Sequence, residues 1–322
     1  MAVLQNHCTI QIPLVSVIIP TYNRARFIEE AIQSVLEQTF KDFEVIIIDD
    51  GSSDETQQVI SQIKDSRLIY HYQDNGGRSK ARNYALTIAK GKYITFLDSD
   101  DLYMADKLKI QVNYLDSHPD IYMVYTSAHC IDEDGNLAMH NYIADVGGWI
   151  YSKIAFLIPI TITLPTVMVR REVFDKVGNF DENLHRFEDV DMWRRISKLY
   201  QIGTISKFTC KIRTHQNNSL ENQDHEEIKL SLNYYASKIM KDDKEFDIKL
   251  RKKGIAKLYR YYGYYISQTP QFRKQGEEFY KIANSFHRLN SITIIIKKVY
   301  YKVFNILYKI YNLLKKLVKN PI

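Results

Sequence analysis

Over the first hundred residues, apolar positions come in short runs separated by polar turns, and the runs are of two kinds. Residues 14–19 (LVSVII) and 43–48 (FEVIII) are nearly continuous and rich in β-branched side chains, the pattern of strands buried on both faces. Between them Phe27, Ile28, Ala31, Ile32, Val35 and Leu36 recur at helical spacing within residues 25–39. Residues 56–63 return to a helical pattern, 68–72 predict a third strand, 79–89 a third helix and 93–97 a fourth strand. Strands alternating with helices in this way predict βαβ units, hence an α/β fold with a mostly parallel sheet flanked by helices.

The second half is less regular. The pattern predicts a helix over 108–115, strands over 121–128, 163–169 and 205–212, a hairpin-type turn at 132–136, and helices opening near Arg170 and over 190–200. After Asn218 the chain becomes charged, helical and rich in Tyr and Lys. This sets a domain boundary near residue 220, with a helical extension over 221–290 and a separate basic helix over 291–322.

Composition changes this picture little: 45% hydrophobic and 25% charged residues describe an ordinary folded protein. Cys8, Cys130 and Cys210 are odd in number and widely spaced, which speaks for a reducing compartment and against a disulfide framework. The first apolar run has no basic residues before it, so no secretory signal is expected, and no run of 18 apolar residues predicts a membrane span. The net charge is +6, yet seven lysines and no acid lie after Ser291, so the remainder is close to neutral. A nucleic-acid-binding face would spread positive charge over the folded domain, and nucleic acid is therefore not an expected partner.

The chemistry concentrates in residues 92–102 (KYITFLDSDDL), where an apolar strand ends in Asp98, Asp100 and Asp101. Three carboxylates in four residues repel one another unless a cation sits between them. Oxygen ligands without Cys or nearby His suit Mg²⁺ or Mn²⁺; the plain alternative is a solvated acidic turn capping the next helix. Two further polar turns, Pro20-Thr21-Tyr22-Asn23 and the acidic run from Asp49 to Asp54, also follow predicted strands. Ligands of open α/β sheets bind at the carboxyl ends of strands, so three polar turns at one edge predict a single site.

In order along the chain, VSVIIPTYNRARFIEEAIQSVLEQTFKDFEVIIIDDGSSDET, DNGGRSKARNYAL, KGKYITFLDSDD, TVMVRREVFDKVG and FEDVDMWRR resemble the family 2 glycosyltransferases over roughly residues 14–215. The resemblance implies the GT-A fold and a nucleoside-diphosphate sugar, UDP-linked by expectation, as donor. It places Pro20, Thr21 and Tyr22 along the nucleotide base and gives Asp50 the acid that recognises the base. A helix cap is the alternative for Asp50. Gly77 would allow close backbone approach, and Arg78 and Arg82 would face the diphosphate, with a solvated helix face as the alternative for either. Asp98 and Asp100 form the DxD pair: Asp100 would hold the metal, and Asp98 the ribose or the metal. His215 stands where relatives carry a metal- or diphosphate-contacting histidine. Asp189 is the implied catalytic base, accepting the acceptor hydroxyl's proton, whereas a solvated helix start would also collect Glu188, Asp189 and Asp191. Residues 147–165 hold no acceptor pattern, although Trp149 and Tyr151 could stack on a sugar or belong to the core.

In the last segment Val299, Val303, Ile306, Ile310, Leu313 and Leu317 repeat at helical spacing beside a narrow stripe of Lys and Asn. Such a helix suits an anionic leaflet, or packing on the protein or in a homodimer. The combined expectation is an inverting, metal-dependent transferase on the cytoplasmic face of a membrane, with a glycan or lipid-linked acceptor and a role in cell-surface polysaccharide synthesis. Its rivals are a nucleotidyltransferase, which should carry a Gly-rich loop where PTYNRAR has none, and a non-catalytic nucleotide- or sugar-binding protein.

Overall fold

The computed structural model describes residues 12–156, 162–214 and 224–289. They form two compact units, one ending at Phe246 and one beginning at Asp247. The first unit thus continues past the boundary near residue 220 that composition indicates.

Its first half follows the hydrophobic pattern closely: β1 (Val15–Thr21), α1 (Ile28–Leu36), β2 (Phe43–Asp49), α2 (Thr56–Gln62), β3 (Leu68–Tyr72), α3 (Arg78–Ile88) and β4 (Tyr93–Phe96). Strands β3, β2, β1 and β4 lie side by side and parallel. Every residue of β1 and β2 is buried, because successive side chains enter opposite cores. Ile18, Ile46 and Ile48 face a layer with Ala81, Ala85 and Trp193. Val17, Ile19, Val45 and Ile47 face a second layer with Ile28, Ile32, Leu108 and Val112.

Beyond β4 the chain forms β5 (Leu102–Tyr103), α4 (Lys107–Ser117), β6 (Met123–Ile131), β7 (Leu137–Tyr142), α5 (Tyr151–Ala155), β8 (Val167–Arg170), α6 (Glu172–Val177), α7 (Glu188–Leu199), β9 (Ile202–Arg213) and α8 (His225–Asp242). The nine described strands make one sheet, ordered β3-β2-β1-β4-β8-β6-β9-β5 with β7 beside β6. Parallel pairing ends at β4: β8 is antiparallel to β4 and to β6, and β9 is parallel to β6. The sheet is therefore parallel where the βαβ pattern is regular and mixed where it is not. The predicted strand at 163–169 begins as a 3₁₀ turn, Leu164–Thr166, with Pro165 at its start.

A buried lysine supports the chain after β4. The Lys107 ammonium donates to Thr95 Oγ1 at 3.0 Å and lies 4.3 Å from the Tyr103 ring centre. Burial pushes its pKa down to about 8. The Tyr103 hydroxyl donates to the Phe96 carbonyl at 2.6 Å, so the short β5 is pinned beneath the end of β4.

The second unit contains α9 (Ile248–Ser267) and α10 (Arg273–Phe286). Asp247 caps α9 by accepting from Lys249 N at 2.8 Å and Leu250 N at 3.0 Å. The helices cross at Gly263 and Gly276, where a β-carbon on Gly276 would stand 2.7 Å from the Gly263 carbonyl oxygen. No helix among the described residues is long and apolar enough to cross a membrane. The predicted helix over 291–322 lies outside the described residues, as does His215.

Candidate active site

A cavity of about 440 Å³ opens at the carboxyl ends of β1, β2 and β4. Pro20, Thr21, Tyr22, Asp50, Gly77, Arg78, Arg82, Asp98 and Asp100 all line it. Nine of the eleven residues singled out in the sequence thus line one cavity. Asp189 is not among the lining residues, and His215 is not described.

At the β2 end, Asp50 is buried and both its carboxylate oxygens are used. Oδ1 accepts from Gln73 Nε2 at 2.6 Å and Gly76 N at 3.0 Å, and Oδ2 accepts from Gly77 N at 2.7 Å. It therefore braces the Gly76-Gly77 turn and does not cap the helix after Ser53; Asp54 holds the Thr56 amide at 3.0 Å instead. Gly77 has φ +89°, a region costly for other residues, and delivers the chain into α3.

At the β4 end, Asp101 is buried and accepts from the Arg213 amide at 2.8 Å, so it anchors the turn to β9 and caps no helix. Burial, reinforced by the charges of Asp98 and Asp100, pushes its pKa well above the usual carboxylate range. Asp98 and Asp100 reach the cavity. Arg24 Nε stands 3.4 Å from Asp100 Oδ2, and Arg82 Nη2 donates to Asp98 Oδ1 at 3.0 Å. Burial and the Asp100 charge raise the Asp98 pKa, against the pull of Arg82.

Arg82 links the two acidic motifs. Its guanidinium is 2% exposed and also donates to Glu188 Oε1 at 2.9 Å. Burial works against its charge, but Asp98, Glu188 and Asp189 outweigh that and raise its pKa. Arg78, largely exposed, stands 3.7 Å from the same Glu188 oxygen.

The acids at the start of α7 are not a solvated helix end, because Glu188 and Asp191 are buried and Asp189 is half-buried. Phe187 precedes them in the left-handed region at φ +68°, a strained position for a bulky residue that aims the helix start. Burial and the neighbouring Glu188 charge push the Asp189 pKa up to about 7, against the Val190 amide and Arg82.

Helix α7 is held by buried ion pairs. Asp191 accepts from Arg194 at 2.8 Å, Arg195 at 2.9 Å and Lys238 of α8 at 3.0 Å. Asp243, just after α8, accepts from Lys198 at 2.9 Å and also from Arg194 and Tyr151. These pairs explain why the first unit runs to Phe246. They also place Tyr151 in the core, whereas Trp149 is exposed next to Gly148, which bridges to Ile202 at the start of β9.

Sequence reasoning missed part of the wall. Glu182, Leu184 and His185, in the loop before α7, and Glu227 of α8 line the same cavity. Glu182 is fixed by Asn83 Nδ2 at 2.8 Å, so the Asn of ARN was the available signal. For Glu227 there was none, since its segment lay beyond the expected boundary. Buried Thr21 Oγ1, Ser79 Oγ and Arg82 Nε have no partner among the described residues, as polar groups awaiting a polar ligand would.

Residues 16–178 match the family model described as glycosyl transferase family 2. The chain belongs to the family 2 glycosyltransferases. A Rickettsia conorii protein named as an uncharacterized glycosyltransferase is 40% identical over 200 residues, covering 62% of this chain and 32% of that relative. The chain thus spans about a third of that relative's length. Among solved structures, S. aureus TarS 1-349 in complex with UDP-GlcNAc gives a TM-score of 0.66 at 22% identity, over 84% of this chain and 80% of that one. The mannosyltransferase PcManGT of Pyrobaculum calidifontis, in complex with GDP-Man and Mn²⁺, gives 0.60 at 19% identity, over 90% and 81%. These likenesses show a GT-A type fold.

Among the described residues, no three His, Cys, Asp or Glu side chains are grouped to enclose a metal ion. Two carboxylates at the cavity wall nevertheless fit a Mg²⁺ or Mn²⁺ ion that takes its other ligands from phosphate oxygens and water, as these hard cations commonly do.

Proposed function

We propose that this chain is an inverting, metal-dependent glycosyltransferase that moves a sugar from a nucleoside diphosphate, UDP by preference, to a hydroxyl of a glycan or lipid-linked acceptor in cell-surface polysaccharide synthesis. The observation that carries the reading is the continuous path from Asp98 through Arg82 to Glu188, next to Asp189, beside a cavity that Asp50 and Gly77 also line. The UDP-GlcNAc bound in the TarS structure and the GDP-Man bound in the PcManGT structure support the donor class.

In this reading Asp50 and the Gly76-Gly77 turn bind the nucleotide, and Arg78 and Arg82 balance the diphosphate charge. Asp98 and Asp100 hold the cation, which when bound stabilises negative charge on the departing diphosphate. The acceptor hydroxyl forms a bond to the anomeric carbon from the face opposite the diphosphate. The C–O bond to the diphosphate breaks with its electron pair, and the hydroxyl proton passes to the Asp189 carboxylate. Attack from the opposite face inverts the anomeric centre.

A thermal-shift screen of nucleotide sugars with Mn²⁺ tests the donor class. A matching donor at about 100 times its Kd stabilises the native state by about 2.7 kcal/mol. If no nucleotide or nucleotide sugar raises the melting temperature, the reading fails.

The membrane role rests on the sequence of residues 291–322, whose seven lysines and apolar repeats suit an anionic surface. Protein truncated after Asn290 should lose co-sedimentation with anionic vesicles that the full chain shows. Equal sedimentation of both would remove the tail as anchor.

A further inference from the structure

Arg213, the last residue of β9, is buried and does not line the cavity, yet it grips the metal-side turn from behind. Its Nε donates to the Asp100 carbonyl at 3.0 Å, and its amide donates to Asp101 Oδ1 at 2.8 Å. Nη1 donates to the Glu133 carbonyl at 2.9 Å in the turn between β6 and β7. Nη2 donates to Glu30 Oε2 at 2.6 Å, and the guanidinium lies 5.0 Å from the Phe27 ring centre. One side chain therefore joins α1, the DSDD turn and the β6–β7 hairpin, while the Asp101 amide closes the turn on the Asp98 carbonyl at 3.0 Å.

We propose that Arg213 is a positioning residue for the cation, holding Asp98 and Asp100 at the separation that a shared ion needs, with Glu30 as its outer brace. This rests on the reading that the two aspartates bind a divalent ion together with the donor. Adjacent carboxylates repel one another and would splay apart without a tether. A tether on both the Asp100 peptide and the Asp101 side chain keeps that repulsion from opening the turn. Only a planar fork serves three directions at once, so lysine cannot replace it fully. Groups that orient metal ligands from behind commonly change metal affinity by about 10- to 100-fold when lost.

The test is a Mn²⁺ titration of the full chain at fixed UDP, read as the midpoint of UDP-dependent thermal stabilisation. Glu30→Gln keeps its shape on an exposed position of α1 and should melt, without ligands, within about a degree of the parent. It is expected to raise the Mn²⁺ midpoint several-fold, and Arg213→Lys by about tenfold or more. Arg26→Gln, which breaks the exposed Arg26–Glu133 pair on the same hairpin, should leave the midpoint unchanged. If folded Glu30→Gln has the parent midpoint, the proposal is overturned, whether or not Arg213→Lys folds. If all variants, Arg26→Gln included, shift equally, the effect is loosening of the hairpin and the proposal again fails. A parent protein that binds UDP with no response to Mn²⁺ removes the cation reading itself, and with it any role in positioning a cation.

Discussion

Asp100→Asn is expected to remove the Mn²⁺ dependence of UDP binding and to lower sugar transfer by about 10²- to 10³-fold, since a bound cation contributes several kcal/mol to the transition state. The substitution keeps the side chain's shape and its place in the cavity wall, so the loss is one of charge. It should not unfold the turn, because Arg213 holds the Asp100 backbone carbonyl and the Asp101 carboxylate, neither of which changes. Arg24, whose side chain is 41% exposed, loses its 3.4 Å ion pair with Asp100, and a pair with so solvated a cation is worth at most about 1 kcal/mol. A calorimetric UDP titration with and without Mn²⁺ separates the two effects. Retention of full Mn²⁺-dependent affinity in Asp100→Asn would remove this residue from the metal site.

Much of this site was legible because its residues stand at strand ends, and strand ends can be read from hydrophobic runs. The runs at 14–19, 43–48 and 93–97 became β1, β2 and β4, and the polar turns after them line one cavity. What those turns do was less legible. Asp50 was a choice between base recognition and a helix cap, and the fold adds a third task, bracing Gly76 and Gly77 across 26 and 27 residues of sequence. Asp101 was equally ambiguous, and its partner is an amide 112 residues away. Periodicity carries no information about such pairs.

The parts that escaped are those whose order comes from tertiary contacts. Strand β5 is two residues long, too short for alternation, and is defined by β9 and by Tyr103 reaching under β4. Helix α8 read as an extension because it is charged on many sides. Yet Lys238 points inward to Asp191 and Asp181, at 3.0 and 2.5 Å. Charged residues are rarely buried unless paired, and pairing across helices cannot be seen from one helix alone. Arg213 shows the same limit: in sequence it is an ordinary basic residue at the end of a strand.

Asp189→Asn should leave UDP binding intact, since the residue is outside the cavity wall, and lower transfer by about 10²- to 10⁴-fold, the usual share of a general base. The parent's transfer rate should fall about tenfold per pH unit below about 7 and level off above it, because only the carboxylate accepts a proton and its pKa is pushed up to about 7. The position of Asp189 in the first turn of α7 would by itself favour the charged form. Burial and Glu188 override it. The sign for stability follows from the same shift. A carboxyl whose pKa is higher folded than unfolded favours folding when protonated, and that contribution fades as pH rises from about 4 through about 7. Asp189→Asn should therefore melt like the parent near pH 4 and above it at pH 8, a gain in stability with a loss of activity. A flat rate profile between pH 5.5 and 8, or near-parent transfer by Asp189→Asn, would rule out Asp189 as the base.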